Sequence, residues 1–338
     1  MDKSVSNKSW RDNPLFWPLF GLALVIAFNL FYGVGFFSIS VQDGHLYGNL
    51  VDILNQGARV MILALGMTLV IATGGVDLSV GAVMAIAGAI AATLVQRSGM
   101  NFFLALPITL LASALLGYFN GSLVVFARIQ PIIATLILMT AGRGIAQLIT
   151  SSDVIIFDNS AFAFLGQGYL LGIPFSLWLV ASIYIGVGLL VRKTAIGLLI
   201  EAVGDNDKAS RFSGINSGRL KLIVYAVCGM LAGLAGLLDA AAVKAADPIR
   251  MGELRELDAI FAVVIGGTAL TGGRFLLLGS LLGAILLQAL TVTMYNVGVA
   301  AAVAPVPKAI VIVGVCLLQA PKFRSQIGRI LRFGRAAS

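Results

Sequence analysis

Charge is scarce in this chain. Asp, Glu, Lys and Arg together make up 11% of its 338 residues, against about 25% in a soluble globular domain. No stretch is polar enough to fold as a separate water-soluble domain. Histidine occurs once, as His45, with no cysteine or second histidine at ligand spacing, which excludes a zinc-type metal site. The two cysteines, Cys228 and Cys316, lie far apart in apolar segments and form no CxxC, which argues against a structural disulfide. HExxH is missing, as is any Ser/His pairing beyond the isolated His45, so there are no catalytic residues to nominate. The sequence GxxxxGK[ST] is also missing, and the chain cannot cradle ATP phosphates itself. If ATP drives it, another subunit holds the ATP and Mg, and this chain binds no cofactor. The net charge of +8 is spread over loops and ends rather than pooled on one helix face, so nucleic acid is not expected as a partner.

Apolar residues are abundant instead, at 59% of the chain. They fall into ten runs, roughly 15–37, 53–73, 79–96, 102–127, 131–150, 172–191, 220–243, 257–270, 275–296 and 306–320. The expected fold is an all-α polytopic membrane protein of about ten transmembrane segments, some short or broken. One domain covers 1–338, with its membrane region at 15–320. The first run follows Lys3, Lys8 and Arg11 and is longer than a signal-peptide core, so it reads as an uncleaved first helix. The run 257–270 is too short for a straight span of about 20 residues. It is either a re-entrant or half helix, or it is supported by its flanks.

Basic residues give the orientation. Loops 38–52, 151–171 and 297–305 contain no Lys or Arg, whereas Arg128, the loop 192–221, Arg274 and the tail 321–338 are basic. Arg97 and the mixed-charge loop 244–258 are the exceptions. The positive-inside rule therefore puts both termini in the cytoplasm. The basic tail reads as an anchor touching anionic membrane lipid.

One stretch organises the rest, GMTLVIATGGVDLSVG at 66–81. An apolar run ends at Thr73 in Gly74 and Gly75, Asp77 follows, and a new small-residue helix begins near Val80. In lipid such a break is tolerated only when buried in protein or lining a watery cavity, and broken helices mark binding sites in many transporters. A fainter echo, VVIGGTALTGGRF at 263–275, pairs Gly266 and Gly267 with that break as possible walls of one pathway. Asp77 either caps the helix starting near Val80 or accepts hydrogen bonds from a polyol. Arg143 pairs with Asp77, contacts solute, or sits in a structural ion pair. Asp239 and Lys308 lie near outer helix ends and are expected to snorkel. Thr68, Thr73, Asn120, Thr135 and Gln288 suit an uncharged, hydroxyl-rich solute, and serve equally well as interhelical hydrogen bonds. Gly229 with Gly233, and Gly279 with Gly283, read as packing residues.

The loop 192–221 contains AIGLLIEAV, which predicts a short cytoplasmic helix ended by Gly204 as a C-cap. Its apolar face needs a partner groove, or else lies on the lipid surface.

Four motifs in order now carry a likeness: GMTLVIATGGVDLSVG, QPIIATLILMTAGRG (130–144), RKTAIGLLIEAVGDNDKASRFSGI (192–215) and AVVIGGTALTGGR (262–274). Together they resemble the permeases of ribose/xylose/galactose-type sugar ABC importers over about residues 50–320. VQDGHLYGNLVDILNQGA, TAGRGIAQLIT and IEAVGDN look most like a galactofuranose importer permease. The resemblance implies a bacterial inner-membrane subunit that pairs with a second permease, identical or paralogous. It implies coupling to a cytoplasmic ATPase through Ile200, Glu201, Ala202, Gly204 and Asn206, and sugar delivery by a periplasmic binding protein. The small pair after the asparagine, Ala209–Ser210, departs slightly from the family's alanine pair. By likeness, the pathway involves Thr73, Gly74, Gly75, Asp77, Thr135, Arg143, Gly266 and Gly267, to which the polar Asn120 and Gln288 are added. The rival reading is an ion-coupled secondary transporter of a small polar solute. A membrane-embedded enzyme is a poorer fit, because a catalytic cluster is missing.

Overall fold

The computed structural model describes residues 15–32, 36–300 and 303–319. The basic tail and the N-terminal Lys3, Lys8 and Arg11 lie outside those residues. In chain order come helix α1 (Phe16–Tyr32), a hairpin of β1 (Ser40–Gln42) and β2 (His45–Tyr47), and α2 (Asn49–Ala72). Next are α3 (Val80–Ala92), which runs into a π-turn at Thr93–Arg97, then α4 (Phe102–Val125) and α5 (Pro131–Thr150). Strand β3 (Ile155–Ile156), α6 (Ser160–Gln167), and the paired β4 (Tyr169–Leu170) and β5 (Ile173–Pro174) lead into α7 (Phe175–Lys193). Then follow α8 (Ala195–Asp205), α9 (Asp207–Phe212), α10 (Ser217–Val243), β6 (Ala245–Ala246), α11 (Arg255–Ile265), α12 (Leu277–Asn296) and α13 (Pro305–Gln319).

Each of the ten apolar runs contains a helix, and among the described residues seven of the helices are long and apolar enough to cross a membrane. The protein is an all-α polytopic membrane protein. The weakest run, 257–270, resolves as the 11-residue α11. At 1.5 Å per residue it is about 16 Å long, half a bilayer core.

Helices α2, α3, α10 and α12 form a buried centre, while α4, α5 and α7 turn wide apolar faces outward. Phe103, Leu104, Leu111 and Leu115 mark the outward face of α4. Between helices in lipid, close van der Waals approach replaces the hydrophobic drive, and small residues permit it. Gly117 of α4 lies on the Tyr225 carbonyl and on Gly229 of α10, and Gly233 lies on Ser113. Gly279 and Gly283 of α12 lie on the Gly266 and Ala262 carbonyls. The packing role expected of these glycines is met. Neutral polar side chains add cross-links: the Thr68 hydroxyl donates to Ser280 at 2.6 Å, and the Asn29 amide donates to Thr293 at 2.7 Å.

The loops hold structure the apolar runs did not predict. Helix α6 forms inside 151–171, and β3 pairs with β6, joining the segments that follow α5 and α10. His45, isolated in the sequence from any ligand partner, stacks on Tyr169 with ring centroids 4.3 Å apart.

Candidate functional site

Two helices stop in the same way at one end of the bundle. At the end of α2 the Gly74 N–H donates to the Ile71 carbonyl (2.9 Å) and Gly75 N–H to Val70 (3.1 Å). At the end of α11 the Gly267 N–H donates to Val264 (3.0 Å) and Thr268 N–H to Val263 (3.2 Å). Gly74 and Gly267 have φ of +80° and +85°. These are Schellman caps, which place a left-handed residue, usually glycine, just past the helix. The echo between 70–82 and 263–275 is therefore structural, and the two breaks touch: Gly273 N–H donates to the Ala72 carbonyl at 3.0 Å.

Helix α8 is seated on that contact. Thr194 caps its start, accepting from Ile196 N–H at 3.3 Å, and Gly197, Ile200 and Val203 are buried within the chain. The groove that takes the apolar face belongs to this chain, so Ile200, expected to contact the ATPase, faces inward instead. Leu198 is 72% exposed on the other side. Gly204 is not a C-cap. It lies inside α8, and Asn206 ends the helix while its side chain accepts from Ala209 N–H (3.0 Å) to start α9. Gly204 is glycine because it lies against the Ala72 carbonyl and the Gly273 N–H, where a Cβ would collide with both. Beside it Leu198, Glu201, Ala202, Asp205, Gly273 and Arg274 line a surface cleft of about 320 Å³.

Behind this junction sits the connection between α2 and α3. Asp77, 1% exposed, accepts from the Ser79 N–H (2.9 Å) and hydroxyl (2.7 Å). It holds the residue before α3 rather than capping the helix from its own N-cap position. The Asn120 amide of α4 donates to Ser79 Oγ (2.7 Å) and lies 3.5 Å from Asp77. Tyr225 of α10 covers Gly75, and the Thr135 hydroxyl of α5 reaches the Pro131 carbonyl (3.0 Å) and Val76 carbonyl (3.5 Å). Thr73, Asn120 and Thr135 are buried, and Thr73 donates to Val70 at 2.8 Å. Gly266 is likewise packed, against Gly279.

Arg143 does not join this group. It lies eight residues, about 12 Å of helix, beyond Thr135, and donates to the Met251 and Ile249 carbonyls. With buried Glu256 it converges on Gly81, so it clamps the loop before α11 to α3 and α5. The expected pairing with Asp77 is replaced by this contact.

Gln288 lies at the far end of the bundle, in a cavity of about 450 Å³ between α2, α10, α11, α12 and α13. Its amide donates to Gln56 at 3.3 Å. Asp239 and Lys308 also line this cavity and do not snorkel. Asp239 pairs with Arg59 (3.0 Å), and Lys308 pairs with Asp258 (3.1 Å), each more than four-fifths buried. Asp239 and Lys308 stood out in the sequence as charges in apolar runs, and Arg59 and Asp258 carry the same signal in runs 53–73 and 257–270. Gln56, Thr291, Tyr295 and, at the α8 end, Arg274 carried no comparable signal.

A helical protein with seven helices, among the described residues, long and apolar enough to cross a membrane, and with a short helix locked onto two broken helix ends, has the build of a transport permease. The chain belongs to the family described as branched-chain amino acid transport system / permease component, whose model matches residues 49–320. Among its relatives is the galactofuranose transporter permease YtfT of Escherichia coli (strain K12), 43% identical over 97% of both chains. The fructose import permease FruF of Bifidobacterium longum (strain NCC 2705) is 42% identical over 94% of this chain and 91% of its own. The ribose import permease RbsC of E. coli (strain K12) is 38% identical over 87% of this chain and 90% of its own. No solved structure matches the chain. The likeness seen in the four motifs is borne out.

Proposed function

We propose that this chain is the membrane-spanning permease subunit of an ATP-driven ABC importer, moving a monosaccharide of the galactofuranose or ribose/galactose type. In this reading it crosses the bacterial inner membrane ten times with both termini cytoplasmic. A second permease, identical or paralogous, completes the pathway, and a periplasmic binding protein delivers the sugar. A cytoplasmic ATPase carries the ATP and Mg.

The observation that carries the reading is the junction of α8 with both helix breaks. Leu198, Glu201 and Asp205 face outward beside Arg274, while Gly204 on the same helix touches Ala72 and Gly273. A partner pushing on the outward face moves a helix whose inner face is packed against the ends of α2 and α11. Those two ends pivot at Gly74 and Gly267, so one displacement is passed to both halves of the bundle. Alternating access follows when ATP closure shifts α8 and hydrolysis releases it. The buried Asp77–Ser79–Asn120 bonds keep α3 and α4 moving with the α2 break.

The test is co-expression with candidate ATPase and binding-protein genes, followed by ATPase assay in nanodiscs. A complex stimulated by one sugar-loaded binding protein, and uncoupled by Glu201→Ala, supports the reading. A chain that purifies alone and moves solute on an ion gradient overturns it in favour of a secondary transporter.

A further inference from the structure

The cavity at the far end of the bundle has no part in the junction, yet it combines a polar lining with an enclosed volume. Its volume of about 450 Å³ falls within the range of small-molecule pockets, about 300–1,000 Å³. Its walls are polar in a region of the bundle where polarity is costly. The charges are largely answered within the wall: Asp239 by Arg59, and Asp258 by both Lys308 and Arg255 (3.6 Å). Arg250 and Glu253, of opposite sign, lie exposed at the rim. Three wall cations against two carboxylates leave one positive charge in excess. That balance disfavours a cation and gives a multivalent anion little to bind. What remains is a set of planar amide, carboxylate and guanidinium edges with the Thr291 and Tyr295 hydroxyls, groups that pair with vicinal hydroxyls. Gln56 and Gln288 meet at 3.3 Å, long enough for a ligand hydroxyl to compete.

We infer that this cavity is a holding site for a monosaccharide-sized polyol, neutral or singly negative, formed within one permease chain rather than between two. The inference rests on the sugar-permease reading and on the orientation that turns this end outward. Sugar released by a binding protein would enter here before the bundle opens toward the α8 end.

The test uses Thr291→Cys in the complete importer in nanodiscs, labelled with a membrane-impermeant methanethiosulfonate. The parent chain, which retains Cys228 and Cys316, gives the background. A site ligand at about ten times its dissociation constant slows labelling about tenfold. D-galactose, D-fructose, D-ribose, D-galacturonate and choline are the probes. Protection by at least one sugar, lost when Gln288→Leu is added while the unprotected rate persists, supports the site. No protection by any sugar, equal protection by choline, or no labelling from the outer face overturns it. Uptake by the parent importer, without Thr291→Cys, is measured separately in sealed proteoliposomes. Active uptake without protection sinks the holding site alone, and absent uptake with every probe sinks the permease reading.

Discussion

Gly204→Ala is the sharpest perturbation of the junction. Gly204 is helical, so its need for glycine comes from close approach and not from backbone conformation. A methyl group there meets the Ala72 carbonyl oxygen and the Gly273 N–H, both backbone atoms that no rotamer change can move. Overpacking of this kind costs about 1–3 kcal/mol. Forcing Gly273 off Ala72 forfeits a hydrogen bond worth about 1 kcal/mol. Alanine returns about 1 kcal/mol of helix propensity to α8, so about 1–3 kcal/mol remains against the seated junction. That shifts the equilibrium toward an unseated α8 by roughly 5- to 150-fold. The variant should insert and assemble normally while losing at least fivefold in sugar uptake per ATP hydrolysed in proteoliposomes. Wild-type uptake per ATP together with unchanged thermal stability would show that the methyl has found room and that the close approach does not matter.

Three further outcomes test the parts around it. Asp77→Asn keeps an acceptor for Ser79 and should retain uptake and a near-normal melting temperature in detergent. Asp77→Ala leaves the buried Ser79 N–H unanswered and should cost about 1–3 kcal/mol; loss of uptake in the Asn variant alone would point to ion coupling instead. Arg143→Met removes the clamp on the Met251 carbonyl and the guanidinium beside buried Glu256. Loss of these charged hydrogen bonds should cost about 1.5–3 kcal/mol, with Arg143→Lys restoring part of the melting temperature. At Asp207, burial pushes the carboxyl up, but the Ser217 hydroxyl, Lys221 and Arg211 outweigh it and hold the group below the usual carboxylate range. A lowered folded value stabilises α9 above the unfolded pKa of about 4 and is lost as pH falls through the folded value. Hydrogen-exchange protection of α9 should therefore persist at neutral pH and fall only in acid. In Asp207→Asn it should already be low at neutral pH.

The helices were legible because spans in lipid need long apolar runs, and each of the ten runs became a helix. Gly74 and Gly267 were legible as breaks because only glycine sits comfortably at a left-handed cap. The site was less legible. Asp77 and Arg143 looked like partners because both are isolated charges in apolar stretches, but Asp77 bonds Ser79 beside Thr135 while Arg143, about 12 Å further along α5 than Thr135, bonds the Met251 and Ile249 carbonyls. Gly204 looked like a cap because glycine near a helix end is ambiguous between a left-handed turn and a close contact, and only the approach of Ala72 decides it. Ile200 shows the same limit, since periodicity identifies an apolar face without saying which groove receives it. The far-end cavity depended on five helices meeting, and a single chain of residues does not reveal which of its isolated charges will face each other.

In the proposed mechanism, force applied to α8 opens this bundle to a sugar. It is tested most directly by ATP-driven uptake in proteoliposomes holding the chain with its ATPase, second permease and binding protein. The expected result is uptake of one monosaccharide that needs ATP and binding protein together and collapses in Gly204→Ala while ATP hydrolysis continues. Uptake that proceeds without ATP on an ion gradient, or that survives Gly204→Ala at full efficiency, would contradict it.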